Sequence, residues 1–317
     1  MLCACVHGAI AAIQVSEQPA VGEQLAYQLA RNGAKVICAA RSLDKLKTVA
    51  EKCISLGGVG SAPAKLDMLD TDSHAAFVEK VEAQHGPIDI LVANAGRSQR
   101  ALVEQTSLDV DIAMLNLNVV GVISITKAVL PAMLKRQRGA IMATSSVAGK
   151  VGSTISASYS ASKHAIQGFF NALRTEVGYR GITVHLACPG PVATPIQANA
   201  FSSSTEAAVD TSKPDTTKRM EAQRCAELMA VQLFHGQYET WLAPQPFLLF
   251  LYVAQIFPTL FMALQTQWYG PKRVKAFQGG SMGYEVVQSP LEVAKGILGA
   301  LFGGQAATPA APKPKQQ

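Results

Sequence analysis

Charge is scarce in this sequence. Asp, Glu, Lys and Arg make up only 16% of its 317 residues, and acids are the rarer half, 22 against 28 bases, for a net charge of +6. The basic residues are scattered and form no Lys/Arg block, which excludes a nucleic-acid partner; the positive balance suits anionic ligands or a lipid surface. Low charge beside 49% hydrophobic residues also excludes bulk disorder. Cysteines are few: Cys3, Cys5, Cys38, Cys53, Cys188 and Cys225. All but the first two are widely separated and no paired CxxC motifs occur, so neither a disulfide framework nor a metal site is expected, only reduced thiols, mostly in the core. Residues 1–15 are mildly apolar but lack a basic leader and are too short to span a bilayer, so no secretory signal or N-terminal anchor is expected. No internal repeat is found.

What is present is alternation. Glu23–Arg31 reads as a helix ended by Gly33, and Lys35–Ala40 as a β-branched strand. Helical patterns follow at Leu43–Leu56, Ser73–Gln84, Val110–Leu134 and Tyr159–Gly178, and strands at Ala64–Asp67, Ile88–Ala93, Ala140–Ser145 and Thr183–Cys188. Strands alternating with helices imply right-handed crossovers and an α/β fold: a doubly wound parallel sheet of Rossmann type, covered on both faces. Beyond Ala198 the pattern changes. Residues 201–218 are rich in Ser, Thr, Asp and Lys and predict a mobile polar loop. An apolar stretch, Pro246–Leu264, interrupted by Gln255 and Pro258, fits a membrane-dipping hairpin, an apolar substrate lid or a buried core helix. The expected organisation is a catalytic domain over 1–198, a helical, apolar C-terminal extension of it over 199–303, and a disordered Ala/Pro/Lys/Gln-rich tail over 304–317.

The sharpest chemical signal is Tyr159-Ser160-Ala161-Ser162-Lys163. Residues four apart share one helix face. A free phenol, with a pKa of about 10, is a poor acid or base near neutrality, but a neighbouring ammonium favours its phenolate. Such a pair can donate a proton to a carbonyl oxygen or remove one from an alcohol. Taken alone, it also fits a surface Tyr and Lys on an ordinary helix. The surroundings strengthen the chemical reading. Ser145-Ser146 ends a strand 13 residues before Tyr159, where a hydroxyl can meet the substrate oxygen. Asn118, followed by Val119-Val120-Gly121, can hold a helix kink and a water leading to Lys163. Asn94-Ala95-Gly96 and Pro189-Gly190-Pro191-Val192-Ala193-Thr194 each follow a strand, where open α/β sheets bind ligands. The second strand ends in Ala40-Arg41-Ser42 with no acid, and arginine there accommodates a 2′-phosphate, which favours NADP(H) over NAD.

With its ordered motifs NAG, NxxG, SSxAG, YSASK and PGPVAT, the chain resembles the short-chain dehydrogenase/reductase family from about Val21 to Thr194, and more weakly to residue 285. The resemblance implies an oxidoreductase acting on CH–OH groups, with Tyr159 as proton donor and acceptor and Lys163 lowering its pKa and binding the nicotinamide ribose. It further implies that Ser146 orients the substrate oxygen and Asn118 maintains a proton relay. Gly22, Arg41, Ser42, Asp67, Asn94, Ala95, Gly96, Pro189, Gly190, Val192 and Thr194 would line the cofactor site, Asp67 at the adenine. Ser98-Gln99-Arg100, Ser107-Leu108-Asp109, Lys163-His164-Ala165 and Gln245-Pro246-Phe247-Leu248-Leu249 resemble one branch of that family, endoplasmic-reticulum, membrane-associated reductases of steroids, retinoids and other lipophilic carbonyls. The same resemblance implies a homo-oligomer, a small lipophilic carbonyl or alcohol substrate, and peripheral membrane contact through 246–264.

One motif departs from the family. Its phosphate loop reads TGxxxGxG, yet here Ser16 and Ala20 stand at two of the glycine positions, Glu17-Gln18-Pro19 lies between them, and only Gly22 survives. A side chain at position 20 crowds a ligand, Pro19 removes a donor, and Glu17 brings negative charge to a diphosphate. The branch's N-terminal anchor is also missing, which points to an altered start or to impaired cofactor binding, and to a cytoplasmic protein if the N-terminus is as given. The competing expectation is therefore a non-catalytic protein of the same fold, acting as a binding or membrane-surface module.

Overall fold

The structure, a computed structural model, describes residues 6–15, 21–197, 199–207, 209 and 219–281. These form two compact units, one running to Pro244 and a second beginning at Gln245. The substituted phosphate-loop residues 16–20, Cys3 and Cys5, and the tail 304–317 lie outside the described residues.

In the larger unit seven strands form one parallel sheet. They are β1 (Ile10–Gln14), β2 (Lys35–Ala40), β3 (Ala62–Lys65), β4 (Ile90–Ala93), β5 (Gly139–Thr144), β6 (Ile182–Pro189) and, past a short β7 (Val192–Ala193) paired with β8 (Met220–Glu221), β9 (Glu239–Leu242). Their spatial order is β3-β2-β1-β4-β5-β6-β9, so the order reverses between β1 and β4. The expected parallel sheet is present, and its strands read as apolar runs because both faces are covered.

Alternate residues of the central strands feed two cores. Ala11, Ile13, Val36 and Cys38 pack with Leu25 and Leu29 of α1 (Val21–Arg31), Leu46 and Cys53 of α2 (Leu43–Ser55), and Cys225 and Met229 of α7 (Ala222–Phe234). Ile10, Ala12, Ile37 and Ala39 pack on the opposite face with Val78 and Val81 of α3 (His74–His85), Ile125 and Val129 of α5 (Gly121–Arg136), and Ile166 and Phe170 of α6 (Ala157–Val177). Cys38, Cys53, Cys188 and Cys225 are buried free thiols.

The predicted helix Val110–Leu134 is one rod of three parts: α4 (Leu108–Leu115), a π-turn over Asn116–Val120, and α5. Among the described residues this rod alone is long and apolar enough to cross a membrane, yet its Val110, Met114, Val122, Ile125, Val129 and Met133 are buried within the unit. The third strand falls two residues earlier than the sequence suggests, so Asp67 lies beyond it. Neither α7 nor β9 is evident in the sequence. Of the polar stretch 201–218, the described residues follow an irregular path, and Phe201 bridges Gln99.

In the second unit the apolar stretch is broken at Phe257-Pro258 into α8 (Phe247–Ile256) and α9 (Pro258–Leu264), followed by a π-turn over Gln265–Tyr269 and α10 (Gly270–Gln278). Leu251, Ala254, Phe261 and Leu264 are buried, whereas Leu249, Tyr252, Ile256, Phe257 and Met262 are exposed. The helical, apolar extension expected after the sheet is therefore present.

Candidate active site

The parallel strands end at one edge of the sheet, and hydrogen bonds draw the sequence-selected residues together there. Lys163, on α6 one turn after Tyr159, is only 4% exposed. Its Nζ donates to the Thr144 carbonyl at the end of β5, at 2.8 Å, and stands 5.8 Å from the centre of the Tyr159 ring. Burial pushes the Lys163 ammonium from the ordinary 10.5 down to about 8, with Cys188 opposing weakly. Tyr159 is half-buried, against a small apolar cluster of Val110, Met114 and Phe201.

Asn118 sits within the π-turn and is fully buried. Its side chain donates to the Arg97 carbonyl and to Ser162 Oγ, each at 3.0 Å, and accepts from Arg97 N–H at 2.9 Å. All these bonds tie the helix kink to the turn after β4 and to α6. A π-turn inside an α-helix is frequent at functional sites because it turns a side chain out of register. Ser146 opens a short 3₁₀ turn, Val147–Gly149; its Oγ accepts from Ala148 N–H at 3.1 Å and donates to the Pro189 carbonyl at 3.2 Å. Asn118 thus reaches α6 through Ser162, while Ser146 is fastened to the end of β6.

The turn Asn94-Ala95-Gly96 lies at the reversal of strand order, where open α/β sheets hold ligands. Asn94 Nδ2 donates to the Gln14 carbonyl at 3.3 Å, Ala95 N–H donates to Gln14 Oε1 at 2.9 Å, and Thr144 Oγ1 donates to Asn94 Oδ1 at 2.8 Å. Gly22, in the first turn of α1, comes so close that a Cβ would collide with Asn94 and would stand 2.7 Å from the Gln14 carbonyl. At Gly96 a Cβ would stand 3.4 Å from Lys163 Nζ and 3.5 Å from Asn118 Oδ1, so glycine keeps the space over those two groups open.

The remaining predicted residues follow the ends of β2, β3 and β6. Arg41 is exposed just beyond β2, Ser42 precedes α2, and Asp67 Oδ1 accepts from Leu69 N–H at 3.0 Å. Burial and then the Arg41 charge push the Arg97 guanidinium down, which puts those two cations in one another's field. Gly190 N–H donates to the Leu242 carbonyl at 2.9 Å, and Val192 pairs with Met220. Among the described residues no three His, Cys, Asp or Glu side chains gather as a metal site would need.

Sequence reasoning assigned no role to three side chains that take part. Thr144 joins Asn94, to which its Oγ1 donates, to Lys163, which donates to its carbonyl. Gln14 is a buried amide at the end of an otherwise apolar strand, and that polarity was its signal. Arg100, 6% exposed, lies with its Cζ 5.9 Å from the Tyr159 ring.

An open parallel sheet thus carries these groups at its carboxyl edge, and residues 12–205 match the short chain dehydrogenase family. The chain belongs to this family, the short-chain dehydrogenase/reductases. Similar proteins include Dehydrogenase/reductase SDR family member 7 of Homo sapiens, 39% identical over 264 residues covering 82% of this chain and 77% of the relative. The mouse protein of the same name is 39% identical over 262 residues, 81% and 77% of the two chains. In fold, the chain is similar to an alcohol dehydrogenase from the archaeon Thermococcus sibiricus, solved in complex with 5-hydroxy-NADP. The TM-score is 0.64 at 24% identity, over 74% of this chain and 96% of that one.

Proposed function

We propose that this protein is an NADP(H)-dependent oxidoreductase interconverting a carbonyl and an alcohol on a lipophilic substrate, with Tyr159 as general acid/base. The observation that carries the reading is the buried Lys163 ammonium beside the Tyr159 ring. In reduction the Tyr159 hydroxyl gives its proton to the carbonyl oxygen; in oxidation the phenolate takes it back. Lys163 favours the phenolate, the Ser146 hydroxyl orients the substrate oxygen, and Asn118 holds the kink through which protons are relayed. A bound nicotinamide supplies the hydride or accepts it.

Outside the phosphate loop, the residues present suit that cofactor. Gly96 leaves space over Lys163 Nζ and Asn118 Oδ1, Gly22 lets the first turn of α1 pass close to Asn94 and Gln14, and Asn94, Ala95, Pro189, Gly190, Val192 and Thr194 would contact the nucleotide. Arg41 and Ser42 suit a 2′-phosphate, and Asp67 the adenine side. Val110, Met114 and Phe201 beside Tyr159 support a lipophilic substrate such as a steroid or retinoid. Exposed Leu108, Ile112 and Leu115 on one face of α4 support a homo-oligomer, and the exposed apolar residues of α8 and α9 support contact with a membrane surface such as that of the endoplasmic reticulum.

Tyr159→Phe is expected to cut turnover of lipophilic carbonyls by at least about a hundredfold while leaving NADPH affinity, followed by nucleotide fluorescence, nearly intact. Full activity in that variant would sink the mechanism. A second reading, a non-catalytic protein of this fold, is favoured by Ser16 and Ala20 in the phosphate loop. NADPH binding only after Ser16→Gly and Ala20→Gly would decide for it.

A further inference from the structure

The triplet Ser98-Gln99-Arg100 has no part in the reading above, yet all three residues are buried. Arg100 Nη1 donates to the Gln99 carbonyl and to Ser156 Oγ, each at 2.7 Å. Its backbone is fixed as well: Arg100 N–H donates to the Phe201 carbonyl at 2.8 Å, and the next residue, Ala101, donates to the Ile155 carbonyl at 3.1 Å. Ile155 has φ +62°, a left-handed conformation that is strained for a β-branched residue and persists only where neighbours enforce it. The guanidinium is thus clamped to the turn that starts α6, three residues before Tyr159.

We propose that Arg100 is a positioning residue for the reaction, a second cation that favours the phenolate of Tyr159 beside Lys163. The proposal rests on Tyr159 being the acid/base. The two cations sit at nearly equal range, Lys163 Nζ at 5.8 Å and Arg100 Cζ at 5.9 Å from the ring centre. They differ in kind. Burial lowers the Lys163 ammonium pKa, so its help fades as the medium turns alkaline. A guanidinium stays charged throughout. Arg100 therefore supplies the field that persists over the alkaline range in which alcohol oxidation needs a phenolate.

Other charged groups lie on the elements around Tyr159: Asp111 of α4 accepts from Ser158 Oγ at 2.5 Å, and Arg97 stacks at 3.6 Å on Phe201 of the apolar cluster against which Tyr159 packs. Val110, Ala113 and Met114 on α4 are apolar. These groups are common to wild type and variants, so a comparison isolates position 100.

The test reads the phenol directly. The full chain is labelled with carbon-13 at tyrosine Cζ, Tyr159→Phe identifies the Tyr159 signal among seven tyrosines, and that signal is titrated against pH. Arg100→Gln should raise the Tyr159 midpoint by about one unit, the low end of what an opposite charge at such range does. Arg100→Lys should stay near wild type, and Ser156→Ala, which removes one of the guanidinium's hydrogen bonds, should move the midpoint the same way by less. An unmoved midpoint in Arg100→Gln, or a shift as large in Arg100→Lys, overturns the proposal. If Arg100→Gln does not fold, an unmoved midpoint in Ser156→Ala does so instead. The titration needs neither nucleotide nor substrate, so it fails or succeeds separately from the turnover and NADPH measurements that judge the proposed function.

Discussion

A lysine held at 4% exposure leaves a signature in stability as well as in chemistry. Its pKa falls from 10.5 to about 8 on folding, so between those values the unfolded chain holds a proton that the folded chain has released. Stability therefore rises with pH across that window, and below about pH 8 the burial cost is fully present. Relative to Lys163→Met, the wild type should gain stability from pH 7 to pH 10, by at most about 3 kcal/mol, in urea titrations. Parallel curves for the two proteins would count against a depressed lysine. At this scale the sequence was legible where spacing encodes chemistry, as in Tyr159 and Lys163. Gln14 and Arg100 were not, because each acts through a partner far away in the chain, Ala95 and Ser156, that only the fold brings near.

The rod of α4, π-turn and α5 shows what sequence conveys about elements. Its helical periodicity was plain, and Asn118 was expected to hold a kink. The extra residue in the turn was not foreseeable, since it depends on Asn118 bonding to Arg97 and Ser162 across space. Gly121, directly after the turn, passes so close to the Met68 carbonyl that any Cβ would strike it, with Met68 Cβ also within 3.2 Å. Gly121→Ala should cost about 1–3 kcal/mol in thermal or urea unfolding, the usual range for overpacking against rigid backbone. An unchanged midpoint would mean that the rod can shift away from the sheet. The third strand was misplaced by two residues because Pro63 reads as a break, although at the edge of a sheet a proline is tolerated. The segment Glu239–Leu242 was missed because four residues bearing a charge carry too little pattern to be recognised.

For the molecule as a whole, strand-helix alternation was enough to give the parallel sheet, whereas the second unit was ambiguous because an apolar run alone does not say what covers it. From Thr240 to Tyr284 the chain contains no acidic residue, and α8 is only ten residues, roughly 15 Å, about half of a bilayer's apolar thickness. Such a helix can lie in a membrane surface but not cross it. Leu249→Asp with Phe257→Asp should abolish flotation with liposomes while leaving NADPH binding unchanged. Equal flotation of variant and wild type would argue against a membrane role. The Gln14 amide, finally, ties the first strand to the turn after the fourth from inside the core, so the spacing between them is set when the chain folds. A nucleotide bound there as proposed would meet a floor already in register, and little of its interaction energy would go into ordering that floor. Its affinity would then depend on the residues after the strand ends, which can vary without unfolding what lies beneath.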